Sequence, residues 1–461
     1  MRTRLRFSTA LALTVVVVVC NGCKKKEAPP APSREPPPSS ATTPKEAALP
    51  AKPTCAAPDA AKIAPFVCDR AALDVAVPPI VDPKNVLAPL HDRLLELARG
   101  TAKRDVRIAV YGDSNLTADA LSGHLRRQLQ ARYGDAGHGF VALARPWAWY
   151  SHNDVHHSGT WPLFRQIAVT TDVIGDKQYG FANIAAESAQ AGAAAWVVTT
   201  KTEGSPIGKT VKSFDVFFLK QPRGGTFRVD VDGAEVKSVS TRANAFEAGF
   251  ERIDVETDAV HEMKCVVKGD GPVRFYGAAL ERPVVGHGIQ VDGLGCGSLN
   301  YQRLTMVAND TRRVQLAHRR YDAIIIWLGT NVMWLEPNKG WAKEAIAEMR
   351  AALPGVPILI MTPPDSVKDG ETKSDPRIVT LVKQLKEIVE ENETALWDLR
   401  AAMGGDASML VFQRKGYAGA DRVHLSKYAN EVMADRFLCA FSAGLGARLA
   451  ERPQAGCEAA P

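Results

Sequence analysis

The sequence predicts an α/β protein, a three-layer α/β/α sandwich around a parallel sheet, interrupted by an inserted all-β module of jelly-roll type. Two observations carry this. Apolar runs bounded by charge or turn residues (Arg107–Tyr111, Tyr321–Leu328, Val356–Met361 and Thr394–Asp398) alternate with helical stretches, the βαβ grammar of a sheet buried on both faces. Between about residues 149 and 282 the grammar changes to short alternating runs, Phe214–Leu219, Thr226–Val231, Arg252–Val255 and Val273–Ala278, with Asp232-Gly233 as a hairpin turn.

The amino end is expected to be a targeting segment rather than part of the fold. Arg2, Arg4 and Arg6 precede the apolar stretch Leu11–Val19, the layout of a signal peptide over residues 1–22. Cys20-Asn21-Gly22-Cys23 resembles a bacterial lipobox, with Cys23 as the acylated residue. Lys24-Lys25-Lys26 and a Pro/Ala-rich stretch to Pro65 follow, and this composition buries too little surface to fold and behaves as a tether. The expected organisation is a lipid-anchored linker over 23–80, a hydrolase domain in two parts (81–148 and 284–446), the β module at 149–283, and a C-terminal tail at 447–461.

Within the domain, Leu87–Ala98 reads as an amphipathic helix. Thr117–Arg132 reads as the next, with Thr117 as N-cap and Asp119 favoured by the helix dipole. Arg303–Arg320, Ile378–Glu391 and Leu425–Cys439 are the later helices.

At 461 residues and 46% hydrophobic the chain has material for more than one domain. Its formal charge of +6 includes the three arginines of the leader, and no basic helix with interleaved aromatics is present, so no nucleic-acid partner is expected. Beyond Cys20 and Cys23, six cysteines remain: Cys55, Cys68, Cys265, Cys296, Cys439 and Cys457. An exported chain with an even remainder favours disulfides, with the short-range pairs Cys55–Cys68 and Cys439–Cys457 expected first. None has zinc-ligand spacing.

Four short segments carry chemistry: Gly112-Asp113-Ser114-Asn115, Gly295-Cys296-Gly297-Ser298, Gly329-Thr330-Asn331 and Asp421-Arg422-Val423-His424. Ser114 follows an apolar strand, so its hydroxyl emerges at the strand's carboxyl end, where open α/β sheets bind ligands. A serine hydroxyl needs an adjacent base, itself oriented by a third group. His424 and Asp421, three residues apart on one loop, fit those roles. The Ser114 N–H, a second-segment N–H and the Asn331 side-chain amide are the expected oxyanion donors. His152, His156 and His157 with Asp154 form a loop cluster, but a serine mechanism needs no metal, and no metal or other cofactor is expected. Trp147, Trp149 and Tyr150 suit stacking on a sugar face or packing between domains.

These four segments resemble the blocks of the SGNH (GDSL-type) hydrolase superfamily. Thr117-Ala118-Asp119, Leu125-Arg126, Tyr133–Phe140, Pro363-Pro364-Asp365 and Asp398–Gly405 resemble the branch containing bacterial peptidoglycan O-acetylesterases and related saccharide acetylesterases. The resemblance implies an SGNH-type sandwich in which Ser114 is nucleophile, His424 base, Asp421 its partner and Asn331 an oxyanion donor. Asn115 stands where many relatives have histidine. The second block is about one residue short, which leaves Gly297 or Ser298 as the N–H donor, Gly297 being preferred. By resemblance the insert is similar to a carbohydrate-binding module.

The expected function is that of a serine esterase removing O-acetyl groups from saccharides through an acetyl-serine intermediate, with cell-envelope peptidoglycan the leading substrate. The alternatives are a saccharide O-acetyltransferase using the same site and a non-catalytic glycan-binding lipoprotein. The expected partners are an acetylated glycan and, through the lipid anchor alone, an inner or outer membrane facing the periplasm or surface. The sequence leaves the oligomeric state open.

Overall fold

The computed structural model describes residues 55–68, 71, 73–200, 207–333 and 339–457. The expected signal peptide, Cys23 and most of the tether lie outside these residues. Cys55–Pro461 forms one compact unit.

The strands are, in chain order, β1 (Val106–Gly112), β2 (Gly139–Val141), β3 (Val155–Gly159), β4 (Arg165–Ala168), β5 (Ile184–Ser188), β6 (Ala194–Thr199), β7 (Val211–Lys220), β8 (Thr226–Val231), β9 (Ala234–Ser240), β10 (Glu247–Ala259), β11 (Glu262–Val267), β12 (Val273–Glu281), β13 (Ile289–Gly295), β14 (Ala323–Trp327), β15 (Ile358–Met361) and β16 (Ala395–Trp397). Strands β13, β1, β14, β15 and β16, in that spatial order, make a parallel sheet. Because side chains alternate along a strand, β1 feeds two cores. Val106, Ile108 and Val110 join Leu94, Leu121, Leu125, Phe437 and Leu438 on one face. Ala109 and Tyr111 join Leu316, Ile346, Leu381 and Leu385 on the other. The result is the expected three-layer α/β/α sandwich.

Strands β2 to β12 make two antiparallel sheets. One has the order β10-β7-β12-β5-β4 with β2 on β12, the other β3-β6-β11-β8-β9. Phe214, Val216 and Phe218 of β7 meet Phe227, Val229, Met263 and Phe275 between the sheets, the interior of the expected β sandwich. The alternate residues Phe217 and Leu219 face the layers around the parallel sheet, so this sheet is buried on both sides. Asp232 and Gly233, with φ of 50° and 88°, make the β8–β9 turn in the left-handed region a two-residue hairpin requires.

Three expectations change. The helix after Ser114 is Ala120–Tyr133, not Thr117–Arg132, and the capping position is held by Asp119 at φ 53° without a side-chain cap. Other nearby partners claim both residues. Thr117 Oγ1 donates to the Ser114 carbonyl at 2.9 Å, and Asp119 accepts two bonds from the Arg126 guanidinium at 2.8 and 3.1 Å. The expected helix 303–320 is two, Tyr301–Leu304 and Asn309–Arg319.

The disulfides are Cys55–Cys457 and Cys68–Cys439, not the short-range pairs. The reason is long-range packing of the chain ends. The Asp59 N–H donates to the Ala98 carbonyl at 2.8 Å, Thr101 Oγ1 to the Gly456 carbonyl at 2.7 Å, and the Phe66 N–H to Ser442 Oγ at 3.3 Å. Both ends therefore lie on the helices Ala88–Arg99 and Lys427–Glu451. Cys265 and Cys296 are unpaired and buried. Peptide mapping of the unreduced protein is expected to recover the 55–457 and 68–439 linked peptides, and replacing either pair by serine is expected to cost about 2–5 kcal/mol in denaturant unfolding.

Candidate active site

The site is built by strand register. Gly112 of β1 lies opposite Gly295 of β13 on one side and Trp327 of β14 on the other, so three strands end level at their carboxyl edge. The segments that follow, Asp113-Ser114, Cys296-Gly297 and Leu328–Asn331, thus emerge side by side with Ser114 in the middle. Two glycines permit the crowding. A Cβ on Gly295 would stand 2.9 Å from the backbone of Leu116 and Thr117, and Gly329, at φ 138°, carries the chain past Leu381 and Pro363.

Ser114 Oγ lies 2.8 Å from His424 Nε2, and His424 Nδ1 lies 2.6 Å from Asp421 Oδ2. The other carboxylate oxygen accepts the backbone N–H groups of Val423 and His424 at 3.0 and 3.1 Å. Partial burial works to raise the Asp421 pKa, but the His424 ring and these two N–H groups outweigh it and hold the carboxyl below its ordinary value. The carboxylate is therefore charged and fixed, as a group that orients an imidazole must be. Asp421 does not cap the long C-terminal helix, whose N-cap is Ser426.

The expected oxyanion donors are available. Among the described residues nothing accepts the N–H of Ser114, Gly297 or Ser298. The Leu299 N–H donates to the Cys296 carbonyl at 3.1 Å, which fixes the plane of the Cys296–Gly297 peptide and with it the direction of the Gly297 N–H. Asn331 is buried and its amide donates to the Leu299 carbonyl at 3.1 Å, leaving its second hydrogen.

Sequence reasoning missed three supports. Asn115, noted only as a departure from histidine, takes the Leu425 N–H on Oδ1 at 3.0 Å and places Nδ2 3.4 Å from Thr330 Oγ1. It thereby joins the Ser114 turn, the His424 loop and the Asn331 turn. Arg422 sits at φ 54°, unusual for a long side chain, and its Nε donates to Gln413 at 3.0 Å. Thr170, two residues beyond β4, donates to the Gly297 carbonyl at 2.7 Å, so the β module reaches the second turn. Asp113, beside Ser114, is buried, and burial raises its carboxyl pKa against hydrogen bonds from Asn115 and Thr330.

The histidine cluster noted around Asp154 assembles only in part: His157 Nε2 accepts the His152 N–H at 3.2 Å. His156 is exposed and Asp154 pairs with Arg127 at 3.3 Å. His152 instead meets His138 and Asp119, whose ligand atoms lie within 4.8 Å of one another. All but His138 Nδ1, which is buried without a partner among the described residues, are committed to protein partners. Asp119 holds Arg126, Ser122 and the Asn153 N–H. His138 Nε2 is 3.1 Å from His152 Nδ1, and His152 Nε2 is 2.9 Å from the Tyr150 hydroxyl. The group is a hydrogen-bonded brace beneath the loop that carries Trp147 and Trp149.

No protein-family model matches the sequence and no curated protein matches it. Solved structures do resemble it. A peptidoglycan O-acetylesterase is 21% identical with a TM-score of 0.66, over 80% of this chain and 99% of that one. A family two carbohydrate esterase from Clostridium thermocellum is 13% identical with a TM-score of 0.26, over 61% and 99%. A lipase/acylhydrolase from Enterococcus faecalis is 18% identical with a TM-score of 0.26, over 34% and 77%. The first likeness establishes a shared fold across nearly all of that enzyme; the other two superpose too loosely to add to it.

Burial holds His138 well below its ordinary pKa, His152 at about 4 and His157 at about 3. The unfolded chain binds protons on these rings first, near pH 6.5, so their contribution is complete above that pH and is lost as pH falls toward 4. The melting temperature is expected to fall over that window, and less steeply in His157→Gln, as scanning calorimetry across pH 4–7 would show.

Proposed function

We propose that the protein is an SGNH-type serine esterase that removes O-acetyl groups from saccharides, with cell-envelope peptidoglycan as the substrate. The observation that carries the reading is the unbroken chain from Ser114 Oγ through His424 to Asp421, at 2.8 and 2.6 Å, set at the carboxyl edge of a parallel sheet between two sets of available N–H donors. In this reading Ser114 Oγ attacks the acetyl carbonyl while His424 Nε2 takes its proton. The Ser114 N–H, the Gly297 N–H and the Asn331 amide hold the oxyanion. Collapse expels the sugar hydroxyl, which takes the proton back from His424, and a water activated by the same imidazole releases acetate from the acetyl-serine.

The shared fold with a peptidoglycan O-acetylesterase supports the substrate class. Exposure of the His424 and Asp421 side chains, 46% and 51%, supports a polymeric substrate, since the base lies in an open cleft. Two disulfides support export to an oxidising compartment. Among the described residues no helix is long and apolar enough to cross a membrane, and attachment through an acylated Cys23 completes the proposal of an envelope lipoprotein.

Ser114→Ala is expected to lower turnover of p-nitrophenyl acetate by roughly 10⁶-fold, and Asn331→Ala by about 10²–10³ in kcat. Equal turnover by Ser114→Ala and wild type would reject the serine mechanism. Asn115→Ala is expected to lower kcat on the order of 10–100-fold, by loosening the three turns it joins. Acetate release from O-acetylated peptidoglycan, compared with O-acetylated xylan and longer acyl esters, tests the substrate; preference for long acyl chains would overturn it.

A further inference from the structure

One exposed feature next to the site is not used by the ester chemistry. The loop after β2 carries Trp147 and Trp149, with ring centroids 6.5 Å apart. Trp149 is 65% exposed. The Trp147 ring lies 3.8 Å from where a Cβ on Gly297 would stand, so the pair borders the cleft on the Gly297 side of Ser114. The Trp147 indole N–H is buried with no acceptor among the described residues, a donor without its usual partner.

The loop is held rather than loose. The Ser151 N–H donates to the Thr117 carbonyl at 3.2 Å, beside the nucleophile turn, and the Tyr150 N–H to the Trp147 carbonyl at 3.1 Å. The Tyr150 hydroxyl accepts the Ala142 N–H at 3.1 Å, and its ring meets Trp147 edge-on at 5.6 Å. Ala144 and Arg145 take φ of 59° and 37°, left-handed values that residues with a Cβ keep only where the surroundings impose them. A large indole face kept in water on a fixed loop is preorganised for a flat, partly apolar ligand.

We propose that Trp147 and Trp149 form a stacking platform for a pyranose ring, one neighbouring the acetylated sugar. Placement of the acetyl group at Ser114 rests on the esterase reading, but binding of sugar to the platform does not. The match is chemical. A pyranose with equatorial substituents presents an axial C–H face to the negative face of an indole, and the exposed Trp149 ring offers that face to the cleft. Spacing along the chain of sugars, rather than enclosure of the acetyl group, then selects a polymer over a small ester.

The test uses N-acetylglucosamine tetramer, which carries no ester, titrated into Ser114→Ala and followed by tryptophan fluorescence and calorimetry. Binding is expected, and weakening of about tenfold when Trp149→Ala is added, with Trp149→Phe retaining most of it. A parallel assay compares kcat/KM on O-acetylated glycan with kcat/KM on p-nitrophenyl acetate; that ratio is expected to fall about tenfold in Trp149→Ala, through KM. Absence of tetramer binding, or equal binding with and without Trp149, overturns the platform even if Ser114 proves essential. Ester turnover undiminished in Ser114→Ala overturns the Ser114 mechanism, and the tetramer titration then still decides the platform.

Discussion

The level ending of β13, β1 and β14 is the constraint on which the site depends. Ser114, Gly297 and Asn331 belong to three separate stretches of chain, and only the parallel register that sets Gly112 opposite Gly295 and Trp327 makes them neighbours. A slip of one residue in β1 would displace Ser114 by about 3.3 Å and would exchange its two faces. The two cores forbid that: Ile108 and Val110 are buried in one layer and Ala109 and Tyr111 in the other. At the amino end of β1, Asp322 Oδ2 takes the Arg107 N–H at 2.9 Å, pinning the strand where it begins.

The β module is fixed to this sheet by a buried ionic network rather than by apolar contact alone. Arg319 is buried and bonds Asp292 of β13 at 2.8 and 3.0 Å and Glu281 of β12 at 2.9 Å. Asp292 also accepts the Tyr321 hydroxyl at 2.6 Å and the N–H of Phe140 in β2 at 2.9 Å, while Arg107 reaches Glu281 at 2.8 Å. Buried ion pairs contribute little net stability compared with apolar packing, yet breaking one by removing a partner costs about 3–5 kcal/mol. Such a network penalises orientations of the module that would part Arg319 from Asp292 and Glu281. Orientation is what the site needs from it, since Thr170 and the tryptophan loop come from this side.

How much could be read from the sequence follows from the range of the forces involved. Strands, the change of grammar at the insert and the Asp232-Gly233 turn are local patterns, and each reappears in the structure. Asp421 and His424 were legible because three residues on one loop suffice to bring the carboxylate to the imidazole. Most differences lie where distant partners decide. The later start of the helix after Ser114 is the exception, because Arg126, close by on the same helix, draws Asp119 into a buried pair. The disulfides were mispaired because the chain ends, 402 residues apart at Cys55 and Cys457, pack on the same two helices. Asn115 gave no signal as a brace, because its partners Leu425 and Thr330 are more than two hundred residues away.

Openness and rigidity divide the work between the two sides of the cleft. On one side His424 and Asp421 are half-exposed, so the imidazole is placed by backbone hydrogen bonds and by Arg422 rather than by enclosure. On the other, Gly297 is hemmed by Thr170 and Trp147, and the loop above it is braced by Tyr150, His152 and His138 down to the Asp119–Arg126 pair. An acetyl group is too small to supply much binding energy of its own. Under the proposed function, discrimination in an open cleft comes from the polymer to either side, and the fixed aromatic rim is the part of this cleft that would provide it.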